Sequence, residues 1–254
     1  MSLFHPHSVD PVPATTEPVA TVFPAIEGAE IAAVFVGQRV AGDFYDSLRV
    51  GPQRVLFGLL DVAGRGEENR SILGTAQQIF RSGGVELFAG DDINESDAMT
   101  ELSLRINRAL IATSKTVHPC PAFIACYHEK FGTLCYTNAA HTSGLLRDST
   151  GITELASTGL PLGLFSHATS DAPTIGLPKG SALLLVSRGV ISCPGRHEKS
   201  GEEFGLERVK QLLLAAPVSG AGELCASVLH AADAFGGEGP RCDDRTALAL
   251  VRTA

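Results

Sequence analysis

Hydrophobic positions in this chain fall in short runs bounded by turn residues, and the runs are of two kinds. Residues 55–60 and 182–186 are continuous apolar stretches, the pattern of a strand covered on both faces. Met99, Leu102, Leu104, Ile106, Leu110 and Ile111 instead form one largely apolar face, the pattern of an amphipathic helix. Taken in order, residues 31–38 predict a first strand and 40–46 a second. Gly51-Pro52-Gln53 predicts a turn, after which 54–60 pairs back as a hairpin strand. Residues 67–81 predict a helix with acidic residues in its first turn, where the helix dipole favours them. Ser82-Gly83-Gly84 is expected to break that helix. A longer one, capped by Ser96 or Asp97, is expected to run to about Thr113.

The pattern then returns to strands. Residues 122–129 and 133–138 predict a hairpin around Lys130-Phe131-Gly132, and 144–147 and 152–155 another around Ser149-Thr150-Gly151. Leu160-Pro161-Leu162-Gly163 reads as a rigid loop. Residues 181–187 predict a hydrophobic strand ending in Arg188-Gly189. Helices over 205–215 and 221–235 and a final strand over 246–252 complete the chain. Strands, two helices, a long run of strands, two helices and a strand do not alternate as a parallel sheet requires. The order predicts an α+β fold: an α-β-β-α sandwich of two mainly antiparallel sheets flanked by helices. Residues 1–25 are rich in Pro, Thr, Val and Ala without a period. They read as a flexible N-terminal arm with few contacts, and 26–254 as one domain.

Composition narrows the function. A length of 254 residues with 44% hydrophobic content allows a sizeable core. A formal net charge of -8 argues against nucleic acid and against an anionic membrane surface. The apolar runs are too short to span a bilayer. The N-terminus has neither a basic nor an apolar signal region, so a cytoplasmic location is expected. The six cysteines form no Cys-x-x-Cys pair. Cys120, Cys126 and Cys135 fall in or beside predicted strands and read as small core residues, with a zinc site as the sharper alternative.

Three acidic motifs remain. The apolar run 55–60 ends abruptly in Asp61, followed by Val62-Ala63-Gly64-Arg65-Gly66. Gly42-Asp43-Phe44-Tyr45-Asp46 lies one hairpin upstream, and Cys242-Asp243-Asp244-Arg245-Thr246 precedes the last strand. Carboxylates delivered by strand ends far apart in sequence can converge on one cation. Asp61 alone would read as a strand-end cap, and Asp46 and Asp244 equally as solvated turn acids. His141, in Asn138-Ala139-Ala140-His141, reads as a loop histidine that fixes a turn rather than as a general acid. Arg65 reads as an exposed loop arginine or as a phosphate-steering one.

These motifs, with Gly159-Leu160-Pro161-Leu162-Gly163-Leu164-Phe165 and Gly201-Glu202-Glu203-Phe204-Gly205, occur in an order that resembles one family. It is the bacterial stage II sporulation protein E and RsbU-like branch of the metal-dependent PPM (PP2C-type) serine/threonine phosphatases. The resemblance covers residue 25 onward. It implies the α-β-β-α sandwich with a two-metal Mg²⁺ or Mn²⁺ centre at one end, where bound water attacks phosphate in line. On the matching positions, Asp61 would bridge both metals and the Val62 carbonyl would be a further ligand. Asp43 would hold the second metal and Asp243 the first. Asp46 and Asp244 would be outer-shell acids. The family's typical substrate is a phosphorylated STAS-domain anti-anti-sigma factor, and a homodimer is compatible with the resemblance.

One position departs from the family. After the strand 182–186 the chain reads Ser187-Arg188-Gly189-Val190, where the family carries Thr-Asp-Gly-Val. Arg188 stands at a first-metal aspartate. A guanidinium cannot coordinate a metal, so one bound cation or none is expected. The guanidinium is expected to take the place of the first metal and to pair with Asp61 and Asp243. Three functions remain: a phosphoserine/phosphothreonine phosphatase of impaired activity, an inactive pseudophosphatase that binds the phosphorylated partner, or a structural or regulatory subunit whose arm, residues 1–25, docks elsewhere.

Overall fold

The computed structural model describes residues 20–37, 42–62, 67–113, 118–167, 170–195, 201–217, 220–236 and 243–253. The turn at Gly64 and Arg65, Cys242, and most of the predicted arm lie outside them. Among the described residues, ten strands form two sheets, every pair of neighbours antiparallel. Sheet A contains β1 (Ala29–Val36), β6 (Gly144–Asp148), β7 (Gly151–Leu155), β9 (Ala182–Val186) and β10 (Arg245–Arg252), in the order β1-β10-β9-β6-β7. Sheet B contains β2 (Gly42–Gly51), β3 (Arg54–Val62), β4 (Ala122–His128), β5 (Thr133–Ala139) and β8 (Thr174–Gly176), in the order β2-β3-β4-β5-β8. The helices are α1 (Glu67–Phe88), α2 (Glu95–Thr113), α3 (Arg188–Ile191), α4 (Gly205–Ala215) and α5 (Ala221–Gly236).

Side-chain parity builds the layers. Along β3, Leu56, Leu60 and Val62 join the core under α1 and α2, while Phe57 and Leu59 face the other sheet. Along β10, Ala247, Ala249 and Val251 pack under α4 and α5, while Leu248 and Leu250 face sheet B. A strand buried on both faces has no polar side to show, which is why these runs read as continuously apolar. The result is the α-β-β-α sandwich that the element order predicts, with three stacked apolar cores.

The structure corrects several sequence expectations. Helix α1 does not break at Ser82-Gly83-Gly84 but continues to Phe88. The two glycines are packing contacts instead. A Cβ on Gly83 would sit 3.0 Å from Leu102 of α2, and one on Gly84 would sit 2.6 Å from Leu56 of β3. Their missing side chains let the helix lie close to both. The cap of α2 is Asn94 rather than Ser96 or Asp97: its Oδ1 accepts from the amides of both. Strand β8 and the single turn α3 were not expected.

The described end of the predicted arm is in contact with β2. The Thr21 hydroxyl lies 2.9 Å from the Tyr45 carbonyl, Phe23 stacks on Tyr45, and the Arg49 guanidinium donates to the Ala25 carbonyl. No described helix is long and apolar enough to cross a membrane.

Candidate metal centre

Asp43 and Asp61 are direct cross-strand partners on β2 and β3. Both point between the sheets, because Tyr45 and Leu59, two residues away on each strand, pack in the inter-sheet core. The amide of Asp61 donates to the Pro121 carbonyl at 2.8 Å, which ties this end of β3 to the start of β4. The pairing of Gly42 with Val62 is so close that a Cβ on Gly42 would meet the Val62 carbonyl oxygen at 2.0 Å. Only glycine allows that approach.

Sheet A supplies the opposite wall. Asp243 and Asp244 precede β10, Asp243 exposed and Asp244 buried. A Cβ on Gly189 would sit 2.0 Å from the Asp244 carbonyl oxygen, and one on Gly37 would sit 2.1 Å from its side-chain Oδ1. The acidic segment is thus clasped between the end of β1 and the first turn of α3. Sequence reasoning missed two hydroxyls here. Thr246 Oγ1 donates to Asp43 Oδ2 at 2.8 Å, and Ser187 also hydrogen-bonds the Asp43 side chain. Parity could have found Thr246, which lies two residues before Leu248 on the inter-sheet face of β10.

The electrostatics are those of crowded acids. Burial, the nearby Asp61 and Asp244 charges push the Asp43 carboxyl up to about 7, against the lowering effect of Ser187 and Thr246. Burial also raises Asp61. Arg188 pulls it back down, and Asp243 and Asp244 push it up again. Arg188 is the first residue of α3 and is exposed. It acts on Asp61 through its field, and the contact ion pair expected with Asp61 does not form among the described residues. A long side chain at a strand exit keeps its head in water, where desolvation costs nothing.

Asp46 does not belong to this cluster. Three residues from Asp43, it has the opposite parity and faces α1. Its carboxylate is fully buried and receives Arg81 at 2.7 and 3.0 Å, Gln77 at 3.0 Å and the Ser47 amide at 2.9 Å. His141 is buried and held neutral, its pKa lowered by burial to about 4. Its amide donates to Asn138 Oδ1 and its Nδ1 lies against Thr142, in a turn where Ala140 takes φ 57.

The donors present are carboxylate and carbonyl oxygens, the chemistry of Mg²⁺ or Mn²⁺ rather than of zinc. Among the described residues, no three His, Cys, Asp or Glu side chains gather closely enough to cage a metal. The cross-strand Asp43 and Asp61 carboxylates have the donor chemistry of one hard cation completed by water, as Mg²⁺ is commonly held. They do not form a ready-made cage for two.

The chain is similar to known proteins over most of its length. It is 24% identical over 212 residues to Protein IcfG of Synechocystis sp., a match covering 76% of this chain and 33% of that relative. The chain thus spans about a third of the curated relative it matches. Among solved structures, the SiaA-PP2C domain of Pseudomonas aeruginosa superposes with a TM-score of 0.74 at 18% identity, covering 88% of this chain and 86% of that one. The RsbU and RsbW domains of Rv1364c from Mycobacterium tuberculosis give 0.71 at 22% identity, covering 91% and 62%. More distant neighbours were solved with metals: RsbX with magnesium (TM-score 0.65, 14% identity, covering 91% and 99%) and PstP with two manganese ions (0.59, 14%, covering 89% and 99%). The family model for Stage II sporulation protein E (SpoIIE) matches residues 51–253, and the chain belongs to that family of PPM-type phosphatase domains.

Proposed function

We propose that this domain binds a phosphoserine- or phosphothreonine-bearing regulatory protein of the STAS type and hydrolyses its phosphate slowly, using one Mg²⁺ or Mn²⁺ in place of two. The observation that carries this reading is Arg188. It stands at the exit of β9 with its positive charge acting on Asp61, where the family resemblance expects a first-metal aspartate. Asp43 and Asp61, with the Val62 carbonyl, would hold the remaining cation. The magnesium and manganese complexes of two structural neighbours support metal use here. When bound, such a cation supplies Lewis-acid neutralisation of phosphoryl oxygens and lowers the pKa of a water.

The chain's own residues have separable tasks. Asp61 and Asp43 hold negative charge between the sheets and orient water by accepting hydrogen bonds from it. Arg188, exposed at the mouth, offers donors to the oxygens of an incoming phosphate. A guanidinium attracts the substrate's charge in the ground state as well as in the transition state, so it favours binding over turnover. Asp243, exposed and close to Gly189, would attract a second cation, but the adjacent Arg188 charge opposes it.

The test is metal counting by anomalous scattering at the manganese edge, with hydrolysis of an aryl phosphate and of a phosphorylated STAS-domain protein. One bound cation and slow turnover are expected. Two bound cations with rapid turnover would overturn the reading. The second reading, an inactive pseudophosphatase that serves as a phosphoprotein-binding module, is favoured by the exposed Arg188, whose guanidinium serves phosphate binding more than turnover. Binding of the phosphorylated partner with no release of phosphate would select it.

A further inference from the structure

Ser187 ends the run of β9 and Thr246 lies at the start of β10, and both are fully buried. Their backbones are linked past the end of the strand ladder. The Ser187 amide donates to the Thr246 carbonyl at 2.9 Å, and the Thr246 amide donates to Ser187 Oγ at 3.0 Å. Ser187 Oγ is an acceptor in that bond, so its own hydrogen is left to donate elsewhere. It goes to Asp43, as does the hydroxyl of Thr246, at 2.8 Å from Oδ2. Two residues of sheet A thus hold one carboxylate of sheet B, across 203 positions of sequence in the case of Thr246. A buried hydroxyl near a strand end usually bonds its own or a neighbouring main chain. Here both cross the inter-sheet space to the same side chain.

Resting on the metal reading above, we propose that Ser187 and Thr246 are positioning residues that lock the Asp43 carboxylate, with Oδ2 already engaged by Thr246 when a divalent cation arrives. They thereby favour Mg²⁺ and Mn²⁺ over Ca²⁺. Mg²⁺ demands near-octahedral geometry and takes carboxylates through single oxygens. Ca²⁺ accepts more ligands at longer distances and often grips both oxygens of one carboxylate. With Oδ2 held by Thr246, a two-oxygen grip on Asp43 requires the hydrogen bond to break inside a buried pocket, which leaves a hydroxyl without a partner. The same lock fixes the Asp43 rotamer before any cation arrives. A fixed rotamer removes ordering cost from binding, as outer-shell bonds to metal ligands generally do.

The variants are Thr246→Val, which removes the hydroxyl and keeps the branched shape, and Thr246→Ser, which keeps the hydroxyl. Mn²⁺ binding is read by electron paramagnetic resonance, Ca²⁺ by its displacement of Mn²⁺, and folding by thermal unfolding of the metal-free protein. Thr246→Val is expected to weaken Mn²⁺ by about tenfold or more, the usual cost of losing an outer-shell partner. It is also expected to shift the preference toward Ca²⁺, while Thr246→Ser stays close to wild type in both. A wild type that binds no Mn²⁺ overturns the metal reading, and the lock with it. A wild type that binds Mn²⁺, with Thr246→Val matching its affinity and Ca²⁺ discrimination, overturns the lock alone. If Thr246→Val does not fold, Ser187→Ala replaces it, since its hydroxyl serves the same carboxylate, and the same two outcomes decide.

Discussion

Arg81 of α1 grips both oxygens of Asp46 of β2, Nε on Oδ2 at 2.7 Å and Nη2 on Oδ1 at 3.0 Å. The carboxylate is fully buried and the guanidinium about one-third exposed. This pair, with Gln77, fastens the first helix to the strand that carries Asp43. Arg81→Ala would leave a buried carboxylate with neutral donors and no cation. A loss of about 3 kcal/mol is expected, the low end for breaking a buried ion pair, because Gln77 and the Ser47 amide remain. Urea unfolding measures it, and an unchanged midpoint would show that the pair is ornamental to stability.

Two glycines in close packing should respond in opposite ways. A Cβ on Gly83 would sit 3.0 Å from the tip of Leu102, a side chain that can rotate, and alanine raises helix propensity by about 1 kcal/mol. Gly83→Ala is therefore expected to be near neutral. At Gly189 the clash would be with the Asp244 backbone carbonyl at 2.0 Å, which cannot give way without moving the acidic segment. Gly189→Ala is expected to cost roughly 1–3 kcal/mol, as overpacking does. Thermal unfolding of both variants side by side checks the contrast.

The same details show what the chain does and does not reveal by itself. The sandwich is legible because strands covered on both faces must be apolar throughout, as 55–60 and 182–186 are. The grouping of Asp43 with Asp61 follows from the hairpin around Gly51-Pro52-Gln53, which sets them opposite one another. Asp46 was misplaced although parity was available: an odd spacing from Asp43 sends it to the helix side. Ser82-Gly83-Gly84 looks like a helix break because a glycine needed for close packing and one needed for a turn are the same letter. The position of Arg188 is legible, but its side-chain contact is not. Nothing in a hydrophobic pattern fixes an exposed guanidinium.

The pH dependence of the metal-free protein follows from Asp43 and His141, which act in opposite directions. Asp43 rises from 3.8 to about 7 on folding, so the folded state takes up its proton first. Its contribution is fully present below pH 3.8 and is lost as pH rises through about 7. His141 falls from 6.5 to about 4, so its contribution is present above 6.5 and is lost as pH drops toward 4. The wild-type profile between pH 4 and pH 7 is thus a near-cancellation. Asp43→Asn removes the first component, and its stability relative to wild type is expected to improve steadily as pH rises from 4 to 7. A constant difference across that window would mean that Asp43 titrates normally. Mn²⁺ binding to wild type should weaken as pH falls from 7 to 4, since the ligand must be ionised.

The last prediction concerns charge at the exit of β9. That strand is buried at every position, and Gly189 is wedged against the Asp244 carbonyl, so the backbone at Arg188 is fixed in place. A substitution there changes charge and ligand chemistry without moving the chain. Arg188 is exposed and makes no contact pair with Asp61, so Arg188→Ala is expected to change stability little, as exposed charges usually do. Its loss removes a positive field from Asp61 and should tighten Mn²⁺ modestly. Arg188→Asp goes further: it removes the cation and adds a hard oxygen donor beside Asp61 and Asp243. It is expected to add one bound Mn²⁺ per chain, counted by anomalous scattering. It is also expected to raise Mn²⁺-dependent hydrolysis of an aryl phosphate by roughly tenfold or more, the scale set by changes around a metal site. The two readouts separate the possible errors. An extra metal without faster hydrolysis would place the defect elsewhere in the site. No extra metal would mean that residue 188 does not face the first cation at all.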